Sequence, residues 1–141
     1  LSGEGGTDTI NGGMGFDTLD VSQITTTTLP AGSAIVNLSA AVIIVNGTTV
    51  QAGTSLDGFG FTDTLLSIEG VLGTSFSDVI HGSADANRLA GRLGNDVLAG
   101  GAGDDTLDGG ADTDQIAGGA GFDTSILAGT RSAYSLARQG D

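Results

Sequence analysis

Gly91-Arg92-Leu93-Gly94-Asn95-Asp96-Val97-Leu98-Ala99-Gly100-Gly101-Ala102-Gly103-Asp104-Asp105-Thr106-Leu107-Asp108 is one nine-residue pattern written twice, and the reading of that pattern decides the fold. Position one is glycine, position four glycine, position six aspartate and position eight leucine. The phase extends in both directions: Gly73, Gly82, Gly91, Gly100, Gly109 and Gly118 open six contiguous units, and Gly3 and Gly12 open two more at the start of the chain. Position six reads Asp8, Asp17, Asp78, Asn87, Asp96, Asp105, Asp114 and Asp123, so only Asn87 departs from aspartate. Position eight reads Ile10, Leu19, Ile80, Leu89, Leu98, Leu107 and Ile116, and fails at Ser125, where the array ends. Phe76, Asp85 and Asp112 interrupt the glycine of position four.

The spacing has a physical reading. Glycines at positions one, two and four tolerate positive φ and let carbonyl oxygens approach an ion that a side chain would obstruct. The aspartate adds a hard carboxylate oxygen, and calcium takes six to eight oxygen ligands in a tolerant geometry. The candidate ligands are Asp8, Asp17, Asp78, Asn87, Asp96, Asp105, Asp114 and Asp123, with the turn glycines Gly12, Gly13, Gly15, Gly82, Gly91, Gly94, Gly100, Gly101, Gly103, Gly109, Gly110, Gly118, Gly119 and Gly121. Asp63, in a degenerate unit Gly58-Phe59-Gly60-Phe61-Thr62-Asp63-Thr64-Leu65, is a further candidate.

One aliphatic side chain per unit is a thin core. Burying each contributes roughly 1.5–3 kcal/mol, against about 1–2 kcal/mol per residue to order the backbone. Stacked carboxylates without cations would repel one another, so metal binding and folding are expected to be one coupled equilibrium.

Composition agrees. The 141 residues carry 17 acidic and 4 basic side chains, all four arginine, for a net charge of −13, which makes nucleic acid and anionic membrane poor partners. Seven of the fifteen aspartates fall on one position of the repeat, which favours ligation over a merely solvated acidic face. There is no cysteine, no lysine and one histidine, His81, so nucleophilic triads and zinc sites have little material and no enzymatic activity is expected. Asp104 and Asp108, beside Asp105, read as surface charge rather than as a catalytic carboxylate pair. No apolar run is long enough to span a bilayer.

The nonapeptide Gly-Gly-x-Gly-x-Asp-x-Leu/Ile-x resembles the repeat of the RTX (repeats-in-toxin) family, a known signature of calcium-binding parallel β-helices. The resemblance implies an all-β fold, a right-handed parallel β-roll in which six residues turn, three form a strand and two units complete a coil. Turns eighteen residues apart would then stack, with calcium between Asp78 and Asp96, Asp96 and Asp114, Asn87 and Asp105, and Asp105 and Asp123. The Gly82 turn, with Ser83, Asp85 and Asn87 in place of Gly, Gly and Asp, is expected to hold its ion most weakly. The resemblance also implies a secreted or cell-surface location, with export from a Gram-negative bacterium by type I secretion and folding in extracellular calcium. The expected role is a structural and folding module of a larger extracellular protein. The alternative is an adhesin or polysaccharide-binding module of a secreted enzyme such as an alginate epimerase, protease or lipase.

The chain divides into nonapeptides over 1–20, a differently textured insert over 21–72, the main array over 73–126 and a following strand over 127–141, all expected in one elongated domain. Leu1 and Ser2 fall on positions eight and nine of a unit whose turn would precede them, so the sequence reads as a piece of a longer array whose partner is the rest of the parent chain. Within the insert, 33–38 reads as a strand, and Asn46-Gly47 between Ile43-Ile44-Val45 and Thr48-Thr49-Val50 is a hairpin signal. Thr25 to Thr28 with Pro30 reads as a loop, and the remainder as extra coils. Leu66-Ser67-Ile68-Glu69-Gly70-Val71-Leu72-Gly73 resembles the Ile-Glu-Asn-Val stretch between RTX blocks, where the coil continues without a full calcium turn.

Overall fold

Each unit of the repeat delivers one short strand centred on its aliphatic residue, and in the middle of the main array these strands run on into the opening residues of the next unit, to 5 or 6 residues instead of the expected three. The computed structural model describes residues 6–23, 34–46, 48–56 and 61–128. The expected loop at Thr25 to Pro30, Gly58 to Gly60 of the degenerate unit and most of the strand over 127–141 lie outside the described residues. The strands are β1 (Thr9–Asn11), β2 (Thr18–Asp20), β3 (Ile35–Asn37), β4 (Ile43–Val45), β5 (Thr48–Val50), β6 (Thr54–Leu56), β7 (Thr62–Leu66), β8 (Gly70–Leu72), β9 (Val79–His81), β10 (Arg88–Arg92), β11 (Val97–Ala102), β12 (Thr106–Gly110), β13 (Gln115–Ala120) and β14 (Thr124–Ile126).

Consecutive strands of the array alternate between two sheets, which makes a parallel β-roll. One sheet has the order β1-β7-β6-β3-β9-β11-β13 and the other β14-β12-β10-β8-β2. Pairing across the array is parallel and offset by one coil of two nonapeptides: Leu98 lies beside Ile80 and Ile116, and Leu107 beside Leu89 and Ser125. The position-eight side chains fill the space between the sheets, with Ile10, Leu19, Leu65, Val71, Ile80, Leu89, Leu98 and Leu107 all buried in one cluster.

The insert is only in part a run of extra coils: β7 and β8 form one, pairing parallel with β1 and β2. Strand β3 pairs parallel with β9, but β6 runs antiparallel to both β3 and β7, so the chain makes an antiparallel excursion inside the first sheet. The Asn46-Gly47 signal is realised as the β4–β5 hairpin, with Ile43 opposite Val50, Val45 opposite Thr48 and Asn46 at φ 49°. Asn37, fully buried, ties the hairpin to the roll. Its Nδ2 donates to the carbonyls of Ala41 (2.9 Å), Val50 (3.3 Å) and Gln51 (2.9 Å), and its Oδ1 accepts from the Ser39 N–H and hydroxyl.

The two sheets treat the excursion differently. In the second, β8 pairs directly with β2 on one side and β10 on the other, Val71 lying between Leu19 and Leu89. In the first, β6 and β3 separate β7 from β9. At about 4.8 Å per strand, one side of the roll is two strands wider at this level than the other. The link from β7 to β8 is also short: Leu65 and Val71, successive inward residues, are six apart in sequence rather than nine, and Ser67 takes φ 51° to make the bend while Ile68 fills the core.

The inward row sets a measurable contrast. Leu107→Ala should lower stability in saturating calcium by about 2–5 kcal/mol, the cost of a cavity at a fully buried leucine, whereas Ile126→Ala, at an exposed position of the last strand, should stay within about 0.5 kcal/mol. Urea denaturation midpoints check this; equal losses would mean that the position-eight row is not the core.

Candidate metal centre

Turns eighteen residues apart stack along each edge of the roll, and their position-six side chains are turned inward. Asp78, Asn87, Asp96 and Asp105 are all buried, Asp96 and Asp105 to 1% exposure. A ladder of charge-assisted bonds joins them: the N–H of Asp78 donates to Asp96 Oδ1 (2.8 Å), Asn87 to Asp105 (2.8 Å), Asp96 to Asp114 (3.0 Å) and Asp105 to Asp123 (3.1 Å). One oxygen of each carboxylate therefore bonds to the preceding coil of the same edge. The other is held over its own turn: Oδ2 of Asp96, Asp105 and Asp114 is buried with no hydrogen-bond partner.

A lone buried carboxylate oxygen calls for a cation or a proton. Its surroundings supply oxygen. A Cβ placed on Gly100 would strike both Asp105 Oδ2 and the carbonyl oxygen of Gly118, one coil on, so the absence of a side chain is what leaves this oxygen-lined cradle open. Gly91 stands in the same relation to Asp96 and Gly109 O, while Gly109 and Gly118 back onto Asp114 and Asp123. Gly101 has φ 113° and lies against the carbonyl of Ser83, a conformation and an approach that a side chain would oppose. Gly13, Gly15, Gly94, Gly103, Gly110, Gly119 and Gly121 also take positive φ. Among the described residues no three acidic or imidazole side chains converge, so an ion here would draw on backbone carbonyls as much as on carboxylates. That mixed, all-oxygen donor set fits calcium.

Burial acts on the same groups. Desolvation raises the carboxyl pKa of Asp96 to about 7, helped by the charges of Asp78 and Asp114, and raises those of Asp78 and Asp105 as well. Without a cation these carboxyls resist ionisation. His81 is half-buried in β9, and burial lowers its pKa.

The N-terminal candidates are arranged differently. The N–H of Asp8 donates to Asp63 Oδ1 (3.0 Å) and that of Asp17 to Glu69 Oε2 (3.0 Å), with Asp8 exposed, Asp17 half-exposed and Asp63 buried. A Cβ on Gly12 would meet Asp17 and the carbonyl of Ser67. Glu69 was not among the sequence candidates, yet it fills the position-six place of the coil ending in β8, one coil before Asn87; the signal was its place two residues before the inward Val71. Sequence reading also missed an outer ladder at position five, where the N–H of Asn95 donates to Ser77 Oγ (3.1 Å), Thr113 to Asn95 Oδ1 (2.9 Å) and Phe122 to Asp104 Oδ1 (2.8 Å). Asp104 is exposed, as surface charge should be, but it also ties two coils together.

Stacked glycine turns, inward carboxylates and one aliphatic per strand define a calcium-binding parallel β-roll. The family model for the RTX calcium-binding nonapeptide repeat (4 copies) matches residues 1–19, 72–107 and 91–124, half of the chain in all, and the chain belongs to that family. Repeats of this kind bind calcium and are typical of secreted proteins. Among curated proteins none matches the chain significantly.

The raised carboxyl pKa values fix the sign of a pH effect. In chelator, the folded state keeps protons that the unfolded chain loses above the ordinary carboxylate range near 4, so the ion-free fold loses stability as pH rises from about 4 toward 7. In calcium the ligand is the ionised carboxylate, and protons compete with the metal. Circular dichroism should therefore show β-structure gained on acidifying the chelated protein from pH 7.5 to 5, and a higher calcium midpoint at pH 5 than at 7.5. A pH-independent midpoint would contradict this.

Proposed function

We propose that this chain is a structural module of a larger extracellular protein, one that folds when it meets calcium outside the cell. The observation that carries the reading is the set of buried carboxylate oxygens of Asp96, Asp105 and Asp114, each without a donor. A divalent ion supplies the positive charge and the oxygen coordination that such a stack lacks. Asp96, Asp105, Asp114 and Asp123 would hold it, with carbonyls such as those of Gly109 and Gly118.

The energetic argument runs the same way. One inward aliphatic per strand does not offset the ordering of a glycine-rich chain, and the buried carboxylates add a desolvation cost of their own. Calcium in the cytosol is too scarce to fill sites of the extracellular class, which bind at roughly 10⁻⁴ to 10⁻³ M. The chain would thus stay unfolded through export, here proposed to follow type I secretion from a Gram-negative cell, and fold on arrival. We assign it no catalytic role: with one histidine, no lysine and no cysteine, it offers little for acid–base or nucleophilic chemistry.

Removing the metal tests the proposal. In chelator at neutral pH the far-ultraviolet spectrum should be mostly coil, and millimolar calcium should restore β-structure in one cooperative transition. Magnesium should fail at the same concentration, because it demands tighter octahedral geometry and keeps its water. An unchanged β-signal and thermal midpoint in chelator would overturn the reading.

A further inference from the structure

The turns opened by Gly73 and Gly82 differ from the later ones at position two. They carry the hydroxyl residues Thr74 and Ser83, where the later units have Arg92, Gly101, Gly110 and Gly119, all four at positive φ. The cradle itself is the same: a Cβ on Gly73 would meet Asp78 Oδ2 (2.6 Å) and the Gly91 carbonyl (2.7 Å), and one on Gly82 would meet Asn87 Oδ1 and the Gly100 carbonyl. What differs is who faces the position-six oxygens.

Both carboxylate oxygens of Asp78 are met by protein donors. Its Oδ2 accepts the Thr74 N–H (2.7 Å), its Oδ1 accepts the Ala34 N–H (2.7 Å), and the Thr74 hydroxyl lies 2.8 and 3.1 Å from Oδ1 and Oδ2. The Phe76 N–H donates to that hydroxyl (3.0 Å), whose one proton is shared between the two carboxylate oxygens. Three donors thus serve Asp78, and neither oxygen is left without a partner. In Asp96 the Asp78 N–H meets Oδ1, and Oδ2 is buried with no hydrogen-bond partner.

Asn87 reaches the same state by another route. Its Oδ1 accepts from the Ser83 N–H (2.7 Å), with the Ser83 hydroxyl at 3.4 Å, and its Nδ2 donates to the carbonyl oxygen of Glu69 (3.2 Å). The amide thus turns an N–H toward the neighbouring coil, the direction opposite to that of an ion ligand. Neutral Asn87 also removes the repulsion an aspartate would meet from Glu69.

We infer that the Gly73 and Gly82 turns are closed without metal, and that the calcium sites of the array begin at the Asp96 and Asp105 turns. Thr74 and Ala34 serve Asp78, and Ser83 and Glu69 serve Asn87, in the place that calcium takes further along. The two metal-free turns lie on opposite edges of one coil, where the antiparallel excursion joins the array, since Ala34 immediately precedes β3. They form a calcium-independent start to the array.

The inference rests on the calcium reading but can fail separately from it. Bound calcium is counted on the whole chain by native mass spectrometry and by titration calorimetry at neutral pH. Asp96→Asn should lose at least one ion relative to wild type, whereas Asp78→Asn should bind as many as wild type. Loss of an ion from Asp78→Asn as from Asp96→Asn would overturn the inference. Should Asp78→Asn fail to fold, Thr74→Gly gives the second readout: it removes the hydroxyl and restores the repeat's glycine, so the count should rise by one. An unchanged or lower count would overturn the inference. A wild-type chain that binds no calcium sinks the calcium reading itself, a result distinct from either variant outcome.

Discussion

A carboxylate buried once per coil on each edge is the constraint on which the rest of this roll depends. Taking an ionised group out of water costs several kcal/mol unless charge or hydrogen bonds replace its hydration. Here the cost recurs every eighteen residues, with each carboxylate a short hydrogen bond from the backbone of the next. The ladder bond satisfies one oxygen. The second must find a cation, a proton or a donor, and the raised pKa of Asp96 records the strain when none is present. The glycines follow from this demand, because only a residue without Cβ lets Asp105 Oδ2 and the Gly118 carbonyl share the space beside Gly100.

The insert is joined to the array at the point where that demand changes. Its excursion widens one sheet by two strands but leaves the other continuous through Leu19, Val71 and Leu89. On the widened side the coil before Asp78 is not a nonapeptide, and the donor that a repeat would send from position six comes from Ala34 instead. On the continuous side Glu69 keeps the ladder running, its longer side chain reaching the Asp17 N–H across 52 residues of sequence. The same hydrogen-bond slot is thus filled four times on one edge and three times on the other, by different residues, which shows that the slot, rather than the residue type, is what the architecture keeps along its length.

Much of this was legible in the sequence, for a physical reason. Positions one, six and eight each answer a separate steric or electrostatic need, so their common period marks the turns, the carboxylates and the aliphatic row, and the resemblance those residues carry implies the parallel roll. The Asn46-Gly47 hairpin was legible as well, since its turn chemistry is local. The antiparallel course of β6 was not, because its partners β3 and β7 are chosen by register across the sheet rather than by neighbouring residues. Glu69 was hidden by the six-residue step from Leu65 to Val71, which shifts the phase by three and removes the glycines that mark a turn. At Thr74 the sequence records the loss of a glycine, and only the structure records that a hydroxyl was gained against Asp78.

That exchange bears on how such an array can hold together. In a stack where each coil contacts only its neighbours, stability is close to a sum of coil and interface contributions, and every ion-dependent interface weakens together when calcium falls. Closure by Thr74, Ala34, Ser83 and Asn87 draws on donors that are present at any calcium concentration. On the assignment proposed above, the array has one end whose hydrogen bonds are internal and one whose charges await metal. Coils that fold in calcium then take their register from this joint, through the bonds of the Asp78 and Asn87 N–H groups to Asp96 and Asp105. Register is the expensive choice in a repeat whose units are nearly identical, since a slip by a whole coil would preserve every glycine and every leucine. The irregular residues at the joint, Thr74, Ser83 and Asn87, are what make that slip unfavourable, because no other coil offers Asp78 the Ala34 N–H or Asn87 the Glu69 carbonyl.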